Sequence, residues 1–383
     1  MRRICVVITA RPSYSRIRTA LEAIDAHPDL ELQLVVGASA LLDRFGSVVD
    51  RIEADGFRIE ERVVMVLDGE TPLAMAKTTG VGMIELAGVF DRLAPDAVVT
   101  VADRYETLAT ATAAAYLGIP LIHVQGGEVT GSIDERVRHA VTKLADLHLP
   151  STELARERII RMGEDPEHIV VTGCPSIDLA MRVRDEGAAE SFDPYERYVG
   201  VGARPDLSDG YLVVMQHPVT DEHSEARAQI RATLEAVEMS GLPALWFWPN
   251  VDAGSDGIST GIREFREVGR AERLHFFKNM APLDFLRLAL DSRAIVGNSS
   301  VALRECSFLG VPAVNIGTRQ RGRERGSNVI DVGHDRDAIA AAIQRALTAP
   351  RSGEPLYGDG DAGGRIAEAL ARLPLTTSKM LTY

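Results

Sequence analysis

Three stretches in the first half of the chain hold the residue types from which acid–base chemistry is built. Asp103-Arg104-Tyr105-Glu106 sets two carboxylates around an Arg. Gln125-Gly126-Gly127-Glu128 leaves a carboxylate behind two glycines, which let the backbone turn sharply and a ligand come close. Ile133-Asp134-Glu135 follows a few residues later. Asp103, Glu128 and Glu135 at one sheet edge would raise one another's pKa and serve as general acids and bases. Plainer roles compete with this one. An acid beside an Arg is often a simple ion pair, and acids at the start of a helix are commonly caps. Upstream, Arg11-Pro12-Ser13-Tyr14-Ser15 places an Arg where a helix begins, with Ser15 as a capping residue in the simpler reading.

The second half carries groups suited to an anion. Gln216-His217-Pro218-Val219 puts a His at a strand end, where it could donate to a phosphate or act as a general acid. Gly297-Asn298-Ser299-Ser300 combines a turn, two hydroxyls and a helix start, a ready anion site. Glu305 lies a turn further in, placed to accept the two hydroxyls of a ribose. A generic Ser cap is the alternative. Arg319, Arg321, Arg323 and Arg325 alternate in one loop, and Arg matches phosphate oxygens bidentately. Asp335-Arg336-Asp337 and Asp359-Gly360-Asp361 imitate an Asp-x-Asp metal motif but lie in loops away from the other signals, so no metal is assigned.

These groups need a scaffold that gathers strand ends. Short Val/Ile-rich runs alternate with longer amphipathic stretches, the mark of βαβ units on a parallel sheet. Strands are expected at 4–9, 30–36, 97–101, 121–124, 147–149 and 169–171, then at 211–215, 244–248, 274–276, 294–296, 313–316 and 329–331. Helices are expected between them, among them 15–26, 41–55, 71–93, 105–117, 135–145, 152–162 and 301–309. Residues 182–210 read as a linker with a surface insertion. The expected architecture is α/β, two doubly wound Rossmann-like domains facing across a cleft. The first spans 1–178 and carries the carboxylates; the second spans 179–364. The last helix, within 365–383, packs back on the first. Ligands of such folds sit beyond the carboxyl ends of the strands.

Composition narrows the partners. The 383 residues carry a formal charge of −13, which argues against a nucleic-acid binder. No run of 18 or more apolar residues occurs, which argues against a membrane span. Three scattered cysteines and the lack of a signal-like start point to reduced thiols and a cytoplasmic setting. An isologous homodimer is the default expectation for a soluble enzyme. Only four of the 42 basic residues are Lys.

Taken in order, the motifs resemble the UDP-N-acetylglucosamine 2-epimerase family, over roughly residues 4–345. The likeness is strongest at 103–106, 123–128, 134–143, His217-Pro218-Val219, Pro249-Asn250-Val251-Asp252-Ala253-Gly254, 297–300 and 315–325. It implies the glycosyltransferase-B type of two-domain fold and no cofactor. The substrate implied is UDP-N-acetylglucosamine or a related UDP-amino sugar, with UDP as a product. The spelling resembles the hydrolysing branch, which forms N-acetylmannosamine, more than the branch that releases UDP-N-acetylmannosamine. By resemblance Asp103, Glu128, Glu135 and His217 are catalytic, and Ser299 and Ser300 hold the diphosphate. Glu305 holds the ribose. His217, Asn250 and Arg319 line the nucleotide, with Arg11, Ser15 and Arg104 reaching from the first domain. Asp256 stands where some relatives carry Lys. A glycosyltransferase or a non-catalytic nucleotide-sugar binder on the same fold remains open, since fold does not fix function.

Overall fold

The computed structural model describes every residue except 43–47, 68–70, 102–103, 130–132, 188–191, 250–253 and 383, and all side chains of the described residues except those of 72, 133 and 220. Two compact units emerge. Unit 1 comprises Met1–Val129, Ile133–Asp178 and Tyr357–Tyr383; unit 2 contains Leu179–Leu356.

Unit 1 is built on β1 (Arg2–Ile8), β2 (Leu30–Gly37), β3 (Ile59–Val63), β4 (Ala97–Val101), β5 (Leu121–Val124) and β6 (Leu147–Leu149). All are parallel, in the order β3-β2-β1-β4-β5-β6. Their near-continuous apolar spelling follows from burial on both faces. In β1, Ile4, Val6 and Ile8 pack into one core, and the alternate Cys5 and Val7 into the other. The first core also takes Ile366 and Leu370 from the returning helix Ala362–Arg372. That return begins at Tyr357, ahead of the expected boundary at 364, because the Cys174 N–H donates to the Tyr357 carbonyl at 2.7 Å. Asp178 then caps the returning helix, accepting from the N–H groups of Ala362 (2.9 Å) and Gly363 (2.8 Å) and from the Thr19 hydroxyl.

Unit 2 holds β7 (Gly200–Gly202), β8 (Leu212–Met215), β9 (Ala244–Phe247), β10 (Leu274–Phe277), β11 (Ala294–Gly297), β12 (Ala313–Ile316) and β13 (Val329–Val332). The order is β13-β12-β11-β8-β9-β10-β7, parallel except for β7 at the edge.

Several expectations are corrected. Residues 169–171 form only a bridge from Ile169 to His148, not a strand. The segment 182–210 is not all linker, since it includes the end of helix Pro175–Glu186, a short helix at Pro194–Arg197 and β7. The helix expected at 15–26 starts instead at Arg11, breaks, and resumes over Arg18–Asp25. Segment Leu73–Leu93 is long and apolar enough to cross a membrane by length and composition, although no continuous apolar run marks it. Here its Leu86, Val89 and Phe90 are buried in the second core of unit 1.

Candidate functional site

At the carboxyl edge of unit 1, β1 and β4 flank the point where the strand order reverses, the usual place for a ligand. Arg11 opens the five-residue helix after β1, and burial pulls its guanidinium below its usual range. Ser15 does not cap the next helix: its hydroxyl donates to the Arg11 carbonyl at 3.3 Å, within its own turn. Asp103 lies outside the described residues. Next to it, Arg104 forms a two-pronged pair with Glu106, Nε to Oε2 at 3.2 Å and a terminal nitrogen to Oε1 at 3.4 Å. Glu106 is fully buried. Its place is the cap of helix Thr107–Tyr116, not the first turn, and its charge orients Arg104.

The loop after β5 is shaped by its own packing. Gln125 adopts φ +64°, and its amide donates to the Cys174 sulfur at 3.1 Å. Gly127 adopts φ +74°, and a Cβ there would fall 2.2 Å from the Ala155 carbonyl. The bare backbone therefore admits a neighbouring helix of the protein itself, which is a different use from the ligand approach expected. Glu128 is 4% exposed. Its carbonyl accepts a 2.7 Å bond from Arg138, itself 1% exposed, on helix Ile133–Leu144. One turn earlier on that helix stands Glu135, whose Oε1 lies 3.3 Å from Nε2 of His139. Glu128 and Glu135 are thus linked through one helix and one buried guanidinium. In the sequence Arg138 stands out only as part of a motif; a bond from its side chain to a distant carbonyl leaves no local signature.

In unit 2 the strand order reverses between β11 and β8, and one residue stitches that point closed. The Asn298 Oδ1 accepts from the His217 N–H at 2.7 Å, while its Nδ2 donates to the His217 carbonyl at 2.8 Å. The Asn298 N–H donates to the Met215 carbonyl at 3.0 Å. Its carbonyl accepts from Gln320 at 2.8 Å and from Arg319 at 3.3 Å. The ends of β8, β11 and β12 therefore converge on one residue, through both its side chain and its main chain, and it is 1% exposed. Gly297 permits this with φ +134°; a Cβ there would sit 2.0 Å from the Met215 carbonyl.

His217, Ser299, Ser300, Glu305 and Arg319 are gathered on this edge; Asn250 lies outside the described residues. The helix expected at 301–309 is two pieces, a 3-10 turn at Ser300–Ala302 and a helix at Glu305–Leu309, parted at Arg304. So short a run sums little dipole, and anion affinity there rests on local N–H groups and hydroxyls. The Ser299 hydroxyl accepts from the Val301 N–H at 3.4 Å. Glu305 is 8% exposed, and its Oε2 has no hydrogen-bond partner among the described residues. A buried acceptor of that kind is satisfied by a hydroxyl donor.

Two of the four loop arginines build the loop itself. Arg323 donates to Gln320 Oε1 at 3.1 Å, and Arg325 pairs with Asp331 and the Gln320 carbonyl. The Asp-x-Asp triplets have structural work as well. Asp335 caps a helix, Asp337 pairs with Arg336, and Asp359 pairs with Arg365. Among the described residues no group of three or more His, Cys, Asp or Glu could hold a metal ion.

A sequence model of the UDP-N-acetylglucosamine 2-epimerase family matches residues 22–371. The chain is 32% identical over 376 residues to the UDP-N,N'-diacetylbacillosamine 2-epimerase (hydrolyzing) of Legionella pneumophila, covering 98% of this chain and 97% of that one. It is 28% identical over 348 residues to the UDP-N-acetylglucosamine 2-epimerase of Neisseria meningitidis serogroup B, covering 91% and 88%. The crystal structure of the Neisseria meningitidis UDP-GlcNAc 2-epimerase bound to UDP-GlcNAc superposes with a TM-score of 0.79 at 17% identity, covering 96% of this chain and 99% of that one. The shared fold is of the glycosyltransferase-B type. With the family match running through both units, this chain belongs to the UDP-N-acetylglucosamine 2-epimerase family.

Proposed function

We propose that the protein is a hydrolysing 2-epimerase that converts a UDP-linked 2-acetamido sugar to UDP and the free manno-configured sugar. The observation that carries this reading is the division of chemistry between the two sheet edges. Unit 1 offers Glu128 and Glu135, held through the buried Arg138, and unit 2 offers the Asn298-centred cluster of His217, hydroxyls and Arg319. The hydrolysing outcome is supported by the names of the Legionella relative and of a 28% identical Campylobacter jejuni relative, each called a hydrolysing 2-epimerase.

A carboxylate of the set Asp103, Glu128 and Glu135 removes the proton at C2, and the electron pair forms the C1–C2 double bond as the C1–O bond to UDP breaks. Charge developing on the departing diphosphate is met by His217, Ser299, Ser300 and Arg319. Water then adds at C1 while a proton returns to C2 from the opposite face. Inversion needs proton carriers on both faces of the ring, which a group of carboxylates supplies. Arg11, Ser15, Arg104 and Asn250 complete the binding set, and Glu305 takes the ribose.

The test is incubation in D2O with UDP-N-acetylglucosamine and, separately, its diacetamido 6-deoxy relative, followed by NMR. The expected result is deuterium at C2, a free manno sugar and UDP without any acceptor. A UDP-linked manno product would move the chain to the non-hydrolysing branch. Full retention of the C2 proton with both substrates would overturn the reading.

A further inference from the structure

We propose that Glu222 is a positioning residue for the nucleotide, one carboxylate that fixes the loop bearing Arg319 against the loop bearing His217. The inference rests on the reading that unit 2 binds the diphosphate. Glu222 lies in the 3-10 segment Thr220–Glu225, five residues beyond His217. Its Oε1 accepts from the hydroxyl of Thr318, the residue immediately before Arg319. Its Oε2 accepts from the amide of Gln229 at 2.8 Å, and Nε2 of His334 stands 3.8 Å from the same oxygen. The carboxylate therefore joins the loops that leave β8, β12 and β13, and Gln229 anchors it to helix Ala226–Met239.

The sign of the electrostatics makes the idea testable. Burial alone would raise the Glu222 pKa, but the bonds from Thr318 and Gln229 outweigh it and hold the group ionised. His334 is pulled below its usual range by burial. An anion near a diphosphate site weakens affinity through Coulomb repulsion alone. If Glu222 acted only through its charge, its removal would tighten UDP binding. If it positions Arg319, removal loosens binding despite the lost repulsion.

The experiment is UDP titration by calorimetry of the full chain and its variants, with kcat at saturating substrate measured alongside. Glu222→Ala is expected to raise the UDP Kd by about tenfold, the scale of one lost charge-assisted hydrogen bond. Thr318→Val, which leaves the carboxylate in place, is expected to do the same, and Thr318→Ser to restore affinity. In Glu222→Ala and Thr318→Val kcat is expected to fall as well, because the displaced Arg319 also meets the charge developing on the departing diphosphate, and Thr318→Ser is expected to restore both. Unchanged or tighter UDP binding in Glu222→Ala, or wild-type affinity in Thr318→Val, overturns the proposal. Failure of the wild-type chain to bind UDP overturns instead the underlying reading of unit 2.

Discussion

Numbered within itself, each unit repeats one strand order, 3-2-1-4-5-6, with unit 2 adding an antiparallel edge strand. The bonds that brace the two sheets nevertheless differ in chemistry. In unit 1 the supports are ionic: Arg104 on the buried Glu106, the buried Arg138 on the Glu128 carbonyl, and Lys143 and Lys379 on Glu164. In unit 2 neutral amides hold the β8/β11 junction, Asn298 on His217 and Gln320 on Asn298, and Asn328 bonds the carbonyls of Ala302 and Val311. The charged braces there, Glu222 on Thr318 and Asp284 on Arg197 and Arg287, lie outside that junction. A neutral frame neutralises none of the positive charge meant for a phosphate. A charged frame can fix carboxylates in a water-poor edge, but ties its own integrity to pH.

The largest effect that could break this comparison is at Glu128. Glu128→Gln keeps the shape and the carbonyl bond from Arg138 while removing the proton acceptor. Turnover is expected to fall by about 10²–10⁴-fold with UDP affinity unchanged. An equal loss of UDP affinity, measured by calorimetry, would show that the two edges do not divide the work. Asn298→Ala is the opposite probe. It leaves the buried His217 N–H and carbonyl without their partner, at a cost of about 1–3 kcal/mol for each group. UDP Kd is expected to rise about 10–100-fold, a larger shift than any in C2 proton exchange at saturation. Wild-type affinity in this variant would remove Asn298 as the organiser of unit 2.

How far the sequence reveals these two edges depends on the range of the contacts that make them. Strands β1, β4, β5 and β12 read plainly because parallel strands buried on both faces are uninterrupted apolar runs. Strand β3, spelled Ile-Glu-Glu-Arg-Val, is not legible because an edge strand needs little apolar surface, and β7, Gly-Val-Gly, has almost no side chains to read. At the site, strand ends and motif order locate His217, Glu128 and Ser299. Asn298, Arg138 and Glu222 work through bonds spanning 81, 10 and 96 residues, and no local pattern encodes such bonds. The broken helix after β11 is invisible for a related reason. The periodicity of 301–309 is helical, and the break at Arg304 is imposed by the tertiary setting.

The smallest expected effect sharpens the comparison most directly, because it asks whether acid loosens one unit before the other. Burial would raise the Glu164 pKa, but bonds from His148, Lys143 and Lys379 outweigh it and bring the group to about 2, from an ordinary value of 4.5. A depressed carboxylate contributes stability that is present above pH 4.5 and lost as pH falls through about 2. Lys143 and Lys379 are partly exposed, so solvent screening leaves about 1–2 kcal/mol. Lys379 also bonds the Thr142 and Ala145 carbonyls at the end of helix Ile133–Leu144, so this loss loosens the helix that carries Glu135 and Arg138. The molecule supplies its own reporter for the other unit, since both tryptophans, Trp246 and Trp248, lie in unit 2. Lowering the pH from 7 to about 3.5 should reduce amide protection in helix Ile133–Leu144 before tryptophan emission shifts. Glu164→Gln should show the reduced protection already at pH 7 and little further change on acidification. Protection in that helix that ignores both pH and Glu164→Gln would mean that charge does not hold unit 1 together, and the contrast between an ionic and a neutral frame would fail.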